Sequence, residues 1–281
     1  MGDTVKRDPF RTRIHEIDFF RGVLICLVVM DHIFNLTMSY SYGWCGGDSA
    51  IIAGTAVEPF YTMYRVASFY WYNTARHIVR WFCLCSFCFL SGISCAFSRN
   101  NWKRAGQMIT LWFIIMVFSN ILQSLVDYSN IDLSIDALRV DFNVIGVLAW
   151  STLIYCFVQD KPWGWLLAFC IAGMLLHPVC VLLSWTPWGK DPNTYAVPFL
   201  GPEWYGPHRQ ADFMPLFPYL GFFFAGALVS KFTYSVNKKS YFKQFEWERP
   251  FCFAGRHSLQ IYILHFAVLI GIFSLIGVFI K

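Results

Sequence analysis

Long apolar runs constrain this chain more than any other feature of its sequence. A helix needs about 20 mainly apolar residues to cross a bilayer. Seven runs of this kind cover residues 17–38, 77–98, 104–126, 142–159, 163–185, 213–230 and 256–280. Only 14% of the residues are charged, against about 25% in soluble domains. We therefore expect an all-α, polytopic transmembrane helix bundle of about seven spans, forming a single integral-membrane domain over residues 1–281.

Basic residues alternate between the segments that connect the runs, and this alternation predicts the orientation. Every second connecting segment holds most of the lysines and arginines: Lys6, Arg7, Arg11, Arg13, Arg99, Lys103, Arg104, Lys161, Lys231, Lys238, Lys239, Lys243, Arg249 and Arg256. Because cytoplasmic loops are enriched in Lys and Arg, we expect a multi-pass cell-membrane protein with a cytoplasmic N-terminus and an outside C-terminus. The net charge of +5 follows from these loops and does not indicate a nucleic-acid partner.

Two of the predicted outer segments, 39–76 and 186–212, are long, and we expect them to be loops. The stretch 58–73 is aromatic enough to form a short interfacial or re-entrant helix. The segment 186–212 is rich in Pro, Gly and aromatic residues. Its tryptophans suit an aromatic belt at the membrane interface better than stacking platforms for a sugar.

Ionisable residues inside the first span are the main functional signal. Arg21 and His32 are eleven positions apart, so they differ by about 20° around a helix and by about 16 Å along it. Asp31 points about 100° away from His32 and cannot be its partner within the helix. Ionisable residues at this depth are costly and usually functional, although a packing role for His32 fits the pattern as well.

Polar residues in two other spans lie at a similar predicted depth. His265 is near the middle of the seventh span, and Ser258 falls on nearly the same helix face. Asp212 opens the sixth span just before two prolines. A hydrogen bond between helices would also explain each of them. No two histidines have the i, i+4 spacing of a metal site, so no metal is expected.

Four sequence blocks carry a family resemblance. "HEIDFFRGVLICLVVMDHIF" (15–34) resembles the first span of membrane acyltransferases. "FCFLSGISCAFSR" (87–99), "ADFMPLFPYLGFFFAGALV" (211–229) and "AGRHSLQIYILHFAVLI" (254–270) are similar to the catalytic domain of the heparan-α-glucosaminide N-acetyltransferase family in its compact bacterial form. Two features depart from the family: "VIGVLAWS" (144–151) lacks a histidine, and the large lumenal extension of the animal enzymes is absent. Heparan itself is therefore not the expected substrate.

The resemblance implies an enzyme that moves an acetyl group from cytoplasmic acetyl-CoA to an amine or hydroxyl of a sugar or glycan on the outer side. The resemblance implies roles for His32, Asp212 and His265 in catalysis and for Arg21, Arg256, His257 and Ser258 in cofactor binding. The position of Asp31 in the first span adds it to the expected catalytic residues. In this scheme His32 is the general base or the acetyl carrier. Asp31 orients the acceptor or a neighbouring helix, for example through His265. The arginines bind the CoA phosphates.

Two other functions remain open at this point. The first is a transporter or lipid-handling protein whose His and Asp residues form a proton relay. The second is an enzyme that acylates a lipid or wall polymer instead of a sugar. The expected partners are acetyl-CoA, a glycan or amino-sugar acceptor and the lipid bilayer, and a homodimer is compatible with the sequence.

Overall fold

The computed structural model describes residues 14–129, 138–182, 213–234 and 240–280, and these ranges contain ten α-helices and no β-strand. The helices are α1 (His15–Trp44), α2 (Gly47–Ala53), α3 (Phe60–Trp71), α4 (Thr74–Cys95), α5 (Asn101–Ser129), α6 (Val144–Val158), α7 (Trp163–Leu182), α8 (Tyr219–Thr233), α9 (Arg249–Arg256) and α10 (Ser258–Ile280). A short 3₁₀ turn, Glu246–Glu248, precedes α9. The all-α prediction is confirmed.

The apolar helices have the lengths of a membrane bundle. Within the described ranges, α4, α5 and α10 are long and apolar enough to cross a membrane, and α6, α8 and residues 163–179 of α7 are shorter apolar helices. The 30-residue α1 is about 45 Å long. Each of the seven predicted runs overlaps one helix, in chain order α1, α4, α5, α6, α7, α8 and α10, so the predicted helical membrane bundle is confirmed.

The prediction of a loop over 39–76 is wrong, because most of this segment is helical. Helix α1 continues to Trp44, and α2 and α3 follow it. Gly46 and Gly54 flank α2 with φ values of 100° and 71°, a conformation that glycine adopts at little cost. The helix predicted within 58–73 is present as α3. Helix α3 runs antiparallel to the C-terminal half of α1, with ring contacts Phe34–Tyr70, Tyr42–Tyr64 and Trp44–Phe60.

One buried core joins helices α4 to α8. Tyr219, Phe223 and Phe224 of α8 are fully buried in it. Helix α8 approaches α4 so closely that a Cβ added at Gly92 would lie 1.9 Å from the carbonyl oxygen of Phe223. Small residues at such contacts let helix backbones approach each other, which is how membrane helices commonly associate.

The first half of α1 packs on α9 in the same way. A Cβ added at Gly22 would lie 1.8 Å from the carbonyl oxygen of Phe251, and one added at Gly255 would lie 1.7 Å from that of Asp18. This contact brings Arg256, at the end of α9, close to Arg21 although the two are far apart in sequence.

Glu16 fixes the segment before α9 to the start of α1. Its carboxylate accepts hydrogen bonds from the Ser240 hydroxyl and from the backbone N–H groups of Tyr241 and Phe242. Burial raises the pKa of Glu16, but these hydrogen bonds outweigh burial and lower its pKa below the usual value of 4.5. The carboxylate form is therefore the one that holds this segment in place.

Candidate active site

A cavity of about 730 Å³ lies between α1, α4, α5, α6, α9 and α10. It is close to the start of α1, at the end of the bundle that the sequence predicts to be cytoplasmic. Its charged lining residues are Asp18, Arg21, Arg104 and Arg256. Serines, Gln107 and apolar side chains complete the wall.

Positive charge exceeds negative charge in this cavity. Three arginines and one aspartate give a formal surplus of two positive charges, since 3 − 1 = 2. Arg256 Nε lies 3.8 Å from Asp18 Oδ2, and Arg104 Nη2 donates a hydrogen bond to Ser91 Oγ at 3.1 Å. A partly enclosed space lined by guanidinium groups favours an anion, because arginine recognises phosphate through paired hydrogen bonds.

Three of the four predicted cofactor-binding residues line this cavity, and one does not. Arg21, Arg256 and Ser258 belong to the lining. His257 is exposed at the junction of α9 and α10. Its Nδ1 lies 3.0 Å from the carbonyl oxygen of Phe253, and its ring contacts the Phe253 ring. His257 therefore has no contact with the space in which the arginines meet.

Arg104 lines the cavity but was not predicted as a site residue, because its place in a basic connecting segment indicates only a cytoplasmic charge. Helix α5 contributes Arg104, Gln107, Met108 and Leu111 to the cavity. Their i, i+3, i+4, i+7 spacing is that of one helix face. This pattern was available in the sequence, but nothing in it indicated that the face borders a cavity rather than lipid.

Two histidines from opposite ends of the chain meet in the bundle. The His32 and His265 rings have centroids 4.9 Å apart. His32 Nδ1 is buried and has no hydrogen-bond partner among the described residues. His265 Nδ1 lies 2.8 Å from the carbonyl oxygen of Tyr262 and 3.1 Å from that of Ile261. Because carbonyl oxygens only accept hydrogen bonds, this nitrogen of His265 carries the proton, and its Nε2 is the basic nitrogen.

Helix α10 connects the cavity to the histidine pair. Ser258 and Tyr262 line the cavity, and His265 lies on the same helix face at i+7 from Ser258. The Tyr262 and His265 rings have centroids 5.7 Å apart. On α1, Arg21 lines the cavity and His32 is about 16 Å further along the helix.

Asp31 pairs with Arg76 of α4 and not with His265, the partner given as an example from the sequence. Arg76 donates two hydrogen bonds to the Asp31 carboxylate, from Nε at 2.7 Å and from Nη2 at 2.6 Å. Tyr70 OH donates a third at 3.1 Å. These contacts join Asp31 to neighbouring helices, whereas His265 contacts His32 instead. Arg76 was not predicted as a site residue, since no local sequence pattern connects it to a residue 45 positions away.

The remaining predicted residue and the cysteines add no further group to the site. Asp212 lies outside the described residues. Across the described ranges, no three or more His, Cys, Asp or Glu side chains are grouped so that they could hold a metal ion. Cys85 and Cys88 are buried in the core around α8.

The fold and the site together define a helical membrane protein with an arginine-lined cavity and a histidine pair. The sequence model of the heparan-alpha-glucosaminide N-acetyltransferase catalytic family matches residues 50–267, so this chain belongs to that family of membrane acetyltransferases. The matched region includes Arg104, Arg256 and His265, but Arg21, Asp31 and His32 precede it. Comparisons with curated proteins and with solved structures gave no match.

Proposed function

We propose that this protein transfers an acetyl group from cytoplasmic acetyl-CoA to an amine or hydroxyl of a sugar or glycan on the outer side of the membrane. Family membership supports the reaction class. The observation that carries the proposal is the cavity in which Arg21, Arg104 and Arg256 meet.

The cavity suits the phosphates of CoA in both charge and size. Its surplus of positive charge would be neutralised by a phosphorylated ligand, and its volume of about 730 Å³ is within the usual range of ligand pockets, about 300–1,000 Å³. In our proposal Arg21, Arg104 and Arg256 bind the phosphates. The pantetheine arm then extends along the face of α10 that carries Ser258 and Tyr262.

The thioester would reach the histidine pair at the end of this arm. We assign His32 as the general base, because its buried Nδ1 has no hydrogen-bond partner among the described residues and histidine is the side chain that most often serves as a general base. The acceptor nitrogen or oxygen attacks the thioester carbonyl carbon while His32 takes the acceptor proton. A C–N or C–O bond forms, the C–S bond breaks, and the proton passes from His32 to the departing CoA sulfur.

The other predicted residues have supporting roles in this scheme. His265, held by the Tyr262 carbonyl oxygen, orients or stabilises the His32 ring. Asp212 stays a predicted catalytic residue on the side of the membrane where the acceptor binds. Asp31 positions neighbouring helices. The reaction needs no metal. The surrounding helices would exclude water and so limit hydrolysis of the thioester.

The test is acetyl transfer by the purified protein in detergent, with radiolabelled acetyl-CoA and a panel of acceptors that includes glucosamine and neutral sugars. Arg104→Gln should raise KM for acetyl-CoA about ten-fold, because charge-assisted hydrogen bonds contribute about 1.5–3 kcal/mol. Lys103→Gln is the matched control: it removes the same charge from the next residue of α5, but Lys103 is exposed and does not line the cavity.

Three outcomes would contradict the proposal. Equal KM values in the two variants would remove Arg104 from the CoA site. If the protein, reconstituted into lipid vesicles, moves an acceptor across the membrane without transferring the acetyl label to it, the protein is a transporter. If the acetyl label appears only in a lipid or wall polymer included in the panel, that compound and not a sugar is the acceptor.

A further inference from the structure

Helices α3 and α4 are separated by a short break whose flanking residues contact Asp31, the residue before the proposed catalytic histidine. Helix α3 ends at Trp71 and α4 begins at Thr74. Asn73 caps α4, since its Oδ1 accepts a hydrogen bond from Ala75 N at 2.8 Å. Residues on both sides of the break bind Asp31, the neighbour of His32. The break is therefore held against α1 by side chains that come from both of the helices it separates.

One arginine supplies most of these contacts. The Arg76 side chain is only 6% exposed and the Asp31 side chain 18%. Besides its two hydrogen bonds to Asp31, the guanidinium carbon of Arg76 lies 3.6 Å from the centroid of the Trp71 ring, on the other side of the break. Arg76 therefore binds α1 and the end of α3 at once from the first turn of α4.

The same carboxylate also binds α3 directly. Tyr70 OH donates to Asp31 Oδ1 at 3.1 Å, and the Tyr70 ring stacks on Phe34 of α1 with centroids 4.2 Å apart. Asp31 thus accepts three hydrogen bonds from two residues that flank the break. Both oxygens of the Asp31 carboxylate are therefore occupied by donors from α3 and α4.

We infer that Arg76 is a positioning residue, which holds the α3–α4 break against α1 through Asp31 and thereby fixes the surroundings of His32. The inference rests on the proposed function for its effect on acetyl transfer, but the contact between the helices can be tested without activity. Arginine suits this role better than lysine, since the planar guanidinium can bind both carboxylate oxygens and stack on Trp71 at the same time.

The first test measures the position of α3 by cross-linking. Tyr42 of α1 and Tyr64 of α3 have ring centroids 5.4 Å apart, further along the same helix pair. Cysteines at these two positions should be joined efficiently by a short bismaleimide. Adding Arg76→Gln should lower the yield about five-fold or more, because removal of one member of a buried ion pair leaves the other charge unpaired.

The second test asks whether charge pairing is the cause. The double variant Asp31→Arg, Arg76→Asp restores an ion pair in the opposite direction and should recover a large part of the cross-linking yield. The matched control is Arg139→Gln, which removes an arginine from the Arg139–Asp141 pair, with Nε 2.8 Å from Oδ2, before α6. This control should leave the α1–α3 yield unchanged.

Acetyl transfer provides the functional measurement. Arg76→Gln should lower kcat and leave KM for acetyl-CoA near the parent value, since Arg76 does not line the CoA cavity. The charge-swapped variant should regain part of kcat. A group that acts on substrate would not be rescued by exchanging it with its partner.

Each outcome decides between the two proposals. A parent-like cross-linking yield in Arg76→Gln overturns the positioning role. If that variant is not monodisperse, Asp31→Asn, which removes the charge of the other partner, replaces it, and a parent-like yield there has the same consequence. Cross-linking that responds as expected in a protein without any acetyl transfer would leave the positioning role in place and refute the proposed function.

Discussion

At the scale of single residues, the most informative atom is the buried Nδ1 of His32. A buried polar group without a hydrogen bond costs about 1–3 kcal/mol, and most proteins avoid it. Its counterpart on His265 is bound to backbone carbonyl oxygens, so the two rings are held differently. His32 Nδ1 is thus available to bind the substrate, while the neighbouring His265 ring is held in place by the backbone.

The corresponding prediction is made for His32→Ala. General bases contribute about 10²–10⁴-fold, so kcat for acetyl transfer should fall by about that factor. Affinity for CoA should stay unchanged, because His32 does not line the cavity. Steady-state kinetics and calorimetric CoA titration measure the two quantities.

The matched control for this prediction is His177→Ala. His177 also lies within an apolar helix, α7, but makes no contact with the histidine pair. Turnover of His32→Ala close to that of His177→Ala would return His32 to a packing role.

At the scale of helices, the site depends on two helices that approach each other backbone to backbone. Arg21 lies in α1 and Arg256 in α9, and Gly22 permits the close contact between these helices. The glycine is required for its size, since any side chain would meet the Phe251 carbonyl group. The distance between the two arginines therefore depends on a residue with no side chain.

We accordingly predict that Gly22→Ala raises KM for acetyl-CoA and lowers the melting temperature. A Cβ at this position would lie 1.8 Å from a carbonyl oxygen, so α9 must move away and take Arg256 with it. Overpacking of this kind typically costs about 1–3 kcal/mol. Gly106→Ala in α5 is the control, because a Cβ there has nothing within 4 Å. Equal melting temperatures and KM values for the two variants would refute the prediction.

The helices could be read from the sequence far better than the contacts between them. An apolar run must satisfy its own backbone hydrogen bonds in a membrane, so composition alone indicates a helix. Residues 39–76 were misjudged because their helices are short, aromatic and separated by glycines. Arg76 and Arg104 could not be predicted for a different reason. The role of Arg76 depends on Asp31, and that of Arg104 on the cavity wall, and both partners belong to distant parts of the chain. The pairing of His32 with His265 was likewise beyond any local pattern.

At the scale of the whole molecule, the proposed reaction requires that the donor and acceptor sites face opposite sides of the membrane. The two ends of α1 provide the reference. Glu16, at its start, binds Tyr241 and Phe242, and helix α2 follows its end at Trp44. A 30-residue helix separates these ends by about 45 Å, which exceeds the hydrocarbon thickness of about 30 Å.

The last prediction follows from this separation and from the distribution of basic residues. Thr55, after α2, and Lys243, before α9, are both exposed and lie near opposite ends of α1. Since Lys and Arg concentrate on the cytoplasmic side, a cysteine at Thr55 should react with an impermeant maleimide in intact cells. A cysteine at Lys243 should react only after the membrane is permeabilised.

Native thiols interfere little, because Cys26 alone is exposed among the described cysteines and it lies within α1, where an aqueous reagent has no access. The unmodified protein gives the background signal. Labelling of Lys243→Cys but not of Thr55→Cys in intact cells would reverse the orientation, and the arginine-lined cavity would then open to the outside, where acetyl-CoA from the cytoplasm could not reach it.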